Sequence, residues 1–168
     1  MGQGDSFGSR SAENEDMFLE LSLARSGKVN GESIKAGHEN HIELVGWSWG
    51  MQAKTAMSGG GAAGKASVGE LHVRKNFDRS STAMLSALRS NETVKKAVVF
   101  VRKAGGKPFD YLSVSVENGR ITGYNVITDG PRPIEEISFS FSKIAVTYQQ
   151  QGDDGQLGGS MQYADELA

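Results

Sequence analysis

The segment GGGAAGKA, residues 59–66, comes close to a phosphate-binding loop of the form G-x-x-x-x-G-K-[ST]. Gly59, Gly64 and Lys65 have the required spacing. Such a loop also needs a hydroxyl side chain after the lysine, which holds Mg²⁺, and a helix whose N-terminus faces the phosphate. Ala66 replaces the hydroxyl residue, and the segment after it alternates like a strand. We therefore predict a long loop without a nucleotide cofactor.

The two histidines of HENH, His38 and His41, are three residues apart, a spacing that can hold a metal ion when it lies on a helix. The zinc-protease motif has its histidines four apart, with the glutamate directly after the first. HENH instead precedes a strand-like segment, and the remaining histidine, His72, is distant in the sequence. We predict a solvated loop here and no metal site.

Adjacent carboxylates do not supply an acid–base pair. Glu135 and Glu136 are neighbours in a predicted strand, so their side chains face opposite sides. No Ser-His-Asp set is visible in the local sequence, and the chain has no cysteine nucleophile. We predict that the protein is not an enzyme and has no catalytic residues.

Trp47 and Trp49 are two residues apart and share one face of a predicted strand. A pair of exposed indole rings could bind sugar rings. Large aromatic side chains more often pack in a core or at a subunit interface. We favour core or subunit packing and keep a carbohydrate-binding β-module as an alternative.

Most apolar segments alternate with a period of two, which is typical of half-buried strands. The alternation changes phase at Gly46 and again near Ser142 and Lys143, as a bulge or bend would cause. The segment KKAVVFVRKAGG is apolar on both faces, which suits a strand covered on both sides. These patterns predict a mainly β fold, a small barrel or sandwich closed at one point by a helix.

Only SSTAMLSALRSN indicates a helix, with Ser80 or Ser81 as the N-cap and Asn91 as the terminating residue. The dipeptide Asn118-Gly119 is a frequent hairpin turn, but a strand could also continue through it at a bulge. The residues alone leave both possibilities open.

The composition excludes several classes of protein. With 168 residues, a net charge of −2 and no cysteine, the chain has no disulfide and no basic stripe for nucleic acid. No apolar run approaches the roughly 18 residues of a membrane span. We predict a disordered extension or vector remnant over residues 1–15, one domain over residues 16–150 and a mobile tail over residues 151–168.

Six segments occur in an order and spacing that resemble the hemolysin-coregulated protein (Hcp) family, the tube-forming proteins of bacterial type VI secretion systems. They are DMFLELSL, IELVGWSWGM, GGGAAGKASVGELHVRKNFDRSS, VRKAGG, DYLSVSV and ISFSFSKIAVTYQ. The resemblance covers about residues 16–150. It departs at Thr82, where family members often have proline, and in the polar N-terminus.

The resemblance implies a small β-barrel of two sheets with one short α-helix and a long protruding glycine-rich loop, here residues 52–65. It also implies a strand that runs through Asn118 and Gly119, so we favour the bulge there. The loop and its base would lie against a neighbouring subunit, through Trp47, Trp49, Gly59, Gly60, Gly61, Gly64 and Lys65.

The function that the resemblance implies is structural. Hexameric rings stack into an exported tube whose lumen can carry small effectors, and the partners are the spike protein and the sheath of a contractile injection machine. The protein would stay in the bacterial cytoplasm before firing and then be secreted without a signal peptide. The resemblance implies neither a nucleic-acid partner nor insertion into a membrane. A phage-type tail-tube protein is the nearest alternative.

Overall fold

Segments with alternating apolar residues form strands, as predicted. The computed structural model of the protein describes residues 15–54, 64–103, 108–151 and 157–167. Across these ranges the elements are β1 (Glu15–Leu23), β2 (Gly27–Val29), β3 (Ile42–Leu44), β4 (Gly46–Ser48), β5 (Met51–Gln52), β6 (Ser67–Val68), β7 (Leu71–Asn76), α1 (Ser81–Ser90), β8 (Thr93–Lys103), β9 (Asp110–Asp129), β10 (Arg132–Phe139), β11 (Lys143–Gln151) and β12 (Leu157–Glu166).

Antiparallel pairing closes most of these strands into a barrel. β1 pairs with β8, β8 with β9, β9 with β10, β10 with β7, and β7 with β4. β3, just before β4 in the chain, pairs with the other edge of β1. The alternate side chains point inward and form the core, which includes Leu19, Leu21, Val73, Val99 and Phe139. The predicted mainly β fold is confirmed; the glycine-rich loop lies largely outside the described residues.

Both predicted phase changes mark the points where the chain passes from one part of the barrel wall to another. β3 pairs with β1 and β4 pairs with β7, so the chain changes partner at Val45, next to Gly46. The second change lies between the end of β10 at Phe139 and the start of β11 at Lys143. β11 then pairs with the first half of β9, whereas β10 pairs with its second half.

The 20-residue strand β9 runs through Asn118-Gly119, so there is no hairpin turn here, as the resemblance implied. The expected bulge is absent at this point, because the pairing of β9 with β8 keeps one register from Glu117 to Arg120. Asn118 has φ 57°, in the left-handed region that asparagine tolerates. A Cβ atom added to Gly119 would lie 1.7 Å from the carbonyl oxygen of Ser140, so the chain needs glycine there for the close approach of two backbones. This close approach lies where β9 passes from its pairing with β11 to its pairing with β10.

Helix α1 begins and ends where the sequence predicted, although its N-terminus is held differently. Asn91 adopts the left-handed conformation (φ 57°) and its amide donates to carbonyl groups of the last turn, as a C-cap. Ser80 precedes the helix without a side-chain capping bond. Its hydroxyl donates instead to Asp78.

The sequence predicted a mobile tail over residues 151–168, whereas the structure has a regular strand over residues 157–166. They form β12, which pairs with β11 from Lys143 to Gln151. Gly158 and Gly159 dilute the alternation that would have revealed this strand. Every residue of β12 is exposed, so β12 extends the sheet beyond the barrel as its outermost strand.

Candidate subunit-contact surface

The residues on either side of the glycine-rich segment pair as a short two-stranded ribbon (β5 and β6), which we call the stub. Met51 pairs with Val68 and Gln52 with Ser67. At its base the Trp49 indole N–H donates to the carbonyl oxygen of Gly69 at 3.0 Å, and the Gly69 amide donates to Gly50. The stub is therefore fixed to the barrel where it begins.

Of the glycines and the lysine predicted to contact a neighbouring subunit, the structure describes Gly64 and Lys65, and both are exposed. Gly59, Gly60 and Gly61 lie outside the described residues. Lys65 is followed by the short strand β6, with no helix N-terminus to face a phosphate. The geometry beside the lysine thus differs from a phosphate-binding loop in the way the sequence predicted.

Trp47 and Trp49 are half-buried and pack against the hydrophobic core. Trp47 lies opposite Val73 in the pairing of β4 with β7. Trp49 also uses its only donor on Gly69, so the two indoles contribute to the barrel and to the base of the stub.

One face of the β11–β12 hairpin is apolar and incompletely covered. We define the hairpin face as Tyr148, Met161 and Tyr163, which are 42%, 59% and 42% exposed. Tyr148 lies opposite Met161, and the next inward pair is Val146 and Tyr163. The face continues the buried row of Val116 and Ile144 outward, past the end of the core.

A cleft of about 690 Å³ separates the stub from β12. Lys54 and Lys65 line it on one side, and Asp165 and Glu166 on the other. The Tyr163 hydroxyl spans the cleft to the sulfur of Met51 at 3.9 Å. A hydrogen bond from the same hydroxyl to Asp165, at 3.1 Å, raises the pKa of Tyr163. This surface combines exposed apolar groups with charges of both signs, which suits protein contacts.

A second polar cluster, which the sequence did not reveal, is enclosed inside the barrel wall. The Lys75 ammonium lies 2.5 Å from Glu135, 2.8 Å from Asp78 and 3.0 Å from the Ser81 hydroxyl, and is 0% exposed. The second carboxylate oxygen of Glu135 accepts from the Tyr124 hydroxyl. The cluster ties the first turn of α1 to β7 and β10. Glu136 faces outward, so the prediction that the two glutamates face opposite sides is confirmed.

The prediction of a solvated loop around His38 and His41 is wrong. Both side chains are buried, at 3% and 8% exposure, and stack on aromatic rings of the barrel wall. Local polarity suggested solvent because the covering partners, Phe18 and Phe100, are distant in sequence. Within the described ranges there is no group of three or more side chains that could hold a metal ion. The helix in those ranges is not one that could span a membrane.

Comparisons with known proteins agree with this architecture. Residues 18–148 match the family model described as "Type VI secretion system effector, Hcp". Protein hcp1 of Pseudomonas aeruginosa is 32% identical over 154 residues, which cover 88% of this chain and 92% of that protein.

Solved structures show the same fold. One, described as a type six secretion system protein, has a TM-score of 0.79 at 24% identity, over 90% of this chain and 95% of the other. A type VI secretion system effector from Yersinia pestis has a TM-score of 0.67 at 28% identity, over 88% of this chain and 98% of the other. The match to the family model and the identity to Protein hcp1 together establish that the chain belongs to the Hcp family of type VI secretion tube proteins, which are structural proteins rather than enzymes.

Proposed function

We propose that the protein assembles into hexameric rings, that the rings stack into the exported tube, and that the lumen carries small secreted effectors. The observation that carries the proposal is the hairpin face. The outermost strand of the sheet is exposed along all ten residues and bears Met161 and Tyr163. Such an edge can pair or pack with another chain.

A second copy is the partner that fits this surface. In a head-to-tail ring each subunit contributes two different patches, and sixfold rotation closes the set. The hairpin face and the stub lie side by side, so one neighbour could cover both. Trp49, Gly64 and Lys65 would then belong to the contact, together with Trp47 at the base and with Gly59, Gly60 and Gly61 farther along the segment.

Family membership supports the wider setting that we propose. The spike protein and the sheath would be the partners of the finished tube. The protein would wait in the bacterial cytoplasm and leave the cell, or enter a target cell, when the sheath contracts. The chemistry of the lumen sets which effectors bind there.

The test is negative-stain electron microscopy of the untagged full chain at micromolar concentration, with molar mass from light scattering. We expect closed rings with sixfold symmetry and a mass near six times 18.0 kDa. Met161→Lys, which places a charge on the hairpin face, should give mainly monomers. Gln162→Lys is the matched control, because Gln162 is exposed on the opposite face of the same strand. A monomeric natural chain, or equal loss of rings in both variants, would overturn the assignment.

A further inference from the structure

Residues 30–41, between β2 and β3, form a strap across the outer face of β1 and β8. The side chains beneath it are Phe18 and Phe100, which point away from the core. The ring of His38 stacks on Phe18 with centroids 4.2 Å apart and planes inclined by 8°, and His41 stacks in the same parallel way on Phe100. The two histidines are therefore the contact between the strap and the apolar outer wall.

The two imidazoles form a chain of contacts between two carboxylates. His38 Nε2 lies 2.8 Å from Asp110 Oδ1, and His41 Nε2 lies 3.3 Å from Glu20 Oε2. Between them, the two Nδ1 atoms are 3.0 Å apart, within hydrogen-bond distance. Because a carboxylate only accepts, each Nε2 must carry a hydrogen to make its bond.

Counting ring protons shows how many the closed strap can hold. Making all three contacts needs one hydrogen on each Nε2 and one shared between the two Nδ1 atoms. That is one more proton than two neutral imidazoles carry. A further proton would put a hydrogen on both Nδ1 atoms, which are only 3.0 Å apart. The hydrogen bond between them would then be lost, and two positively charged rings would repel each other. The closed pair thus accepts one extra proton and excludes a second.

Burial of the pair also disfavours a second proton. It lowers the pKa of His41 below its ordinary value of 6.5, and the neighbouring charges of His38 and Lys28 lower that pKa further, while Glu20 opposes them. In an open strap the solvated ring of His41 would return to its ordinary pKa. Because the pKa of His41 is lower in the closed strap than in the open one, closure is stabilised above the ordinary pKa of histidine. This stabilisation is lost as the pH falls below that ordinary pKa.

Other charged groups surround the pair and hold the strap from several elements. Lys35 of the strap lies 2.6 Å from Asp16, and the Arg102 guanidinium donates to the carbonyl oxygen of Ala36 at 2.6 Å. The titratable and charged groups that face the pair are Asp16 and Glu20 on β1, Lys28 on β2, Glu43 on β3, Arg102 on β8, Asp110 on β9 and Lys35 on the strap.

We propose that the strap is a proton-operated latch: in neutral solution the pair closes it over Phe18 and Phe100, and a second proton in mildly acidic solution releases it. Release would uncover the two phenylalanines and present an apolar patch that is hidden at neutral pH. The latch depends on contacts within one chain and does not rest on ring formation.

Hydrogen–deuterium exchange of the full chain tests the latch. Peptides covering residues 30–41 are compared at pH 7.5 and 5.0, after correction for the intrinsic exchange rate. We expect the opening constant of the strap to rise about tenfold or more, because an excluded proton contributes up to tenfold per pH unit below the free pKa. Peptides from β10 should change little. No rise in the strap would overturn the proposal.

Two variants separate the latch from a general effect of acid. In His41→Gln the pair can no longer become doubly charged, so the rise in opening between pH 7.5 and 5.0 should disappear. His72→Gln is the matched control and should keep the rise, because His72 lies on the exposed face of β7 beside Ser138. An equal rise in all three proteins would contradict the latch.

A measurement on the natural chain protects the test against a misfolded variant. In NMR spectra of the ring nitrogens, the proton shared between the two Nδ1 atoms should be present at pH 7.5 and lost at pH 5.0. Persistence of that shared proton at pH 5.0 would also contradict the latch.

Discussion

The cluster around Lys75 and the hairpin face differ in how far their side chains are buried. Lys75 is a charged residue with no exposure, and its partners Glu135, Asp78 and Ser81 come from the same chain. Met161 and Tyr163 are apolar or aromatic residues left largely uncovered. A fold that buries a charged ammonium group could also bury a methionine side chain within the same chain. The contrast supports the proposal that the barrel is completed within one chain and that another chain covers the hairpin face.

Replacing Lys75 should give the largest loss of stability. Lys75→Met leaves Glu135 charged and enclosed without its cation, and breaking a buried pair in this way costs about 3–5 kcal/mol. Urea unfolding measures the loss. Arg74→Met is the matched control, since Arg74 is the next residue on the same strand, pairs with Glu136 at 3.3 Å and is 41% exposed.

Arg74→Met should lose about 1 kcal/mol or less, because exposed pairs contribute little. The double variant Lys75→Met with Glu135→Leu should recover part of the loss by removing the unpaired carboxylate. Equal losses in Lys75→Met and Arg74→Met would mean that the cluster is not a closed part of the barrel.

The close approach of β9 to Ser140 at Gly119 should give the next largest effect. In Gly119→Ala the new methyl group would overlap the carbonyl oxygen of Ser140, so the strand must shift, at a cost of about 1–3 kcal/mol. Gly46→Ala is the control, because a Cβ added at Gly46 meets no atom within 4 Å and should change stability by about 0.5 kcal/mol or less. A neutral Gly119→Ala, measured by the same unfolding experiment, would show that the close approach is not needed.

The elements that the sequence predicted are those whose signal is local. Alternation alone indicates a buried strand, so β1 and β7 were expected from their apolar residues. The phase change at Gly46 and the C-cap at Asn91 are likewise written into a few neighbouring residues. The continuation of β9 through Asn118-Gly119 needed more, because this dipeptide also suits a hairpin turn. The resemblance to a family correctly favoured the continuation, but the bulge expected with it is absent.

What the sequence did not predict depends on partners far along the chain. Lys75 is enclosed because Glu135, 60 residues later, supplies its countercharge. His38 is buried because Phe18 and Asp110 lie on strands from different parts of the chain. β12 forms by pairing with β11, which overrides the weak strand preference of its two glycines. Each case is a tertiary contact that the local pattern does not encode.

The smallest effect on the isolated chain should come from the hairpin face, and it tests the comparison most directly. Met84 of α1 is 0% exposed, so Met84→Ala should lose about 2–5 kcal/mol. Met161→Ala should lose about 0.5 kcal/mol or less in urea unfolding at a concentration low enough for monomers, since the side chain is 59% exposed. At higher concentration, assembly should raise the apparent stability of the natural chain, and Met161→Ala should weaken that rise, because only the folded chain can form the contact. A loss for Met161→Ala in the dilute chain as large as that for Met84→Ala would mean that the hairpin face is already covered within one chain, and the distinction between the completed barrel and the open surface would fail.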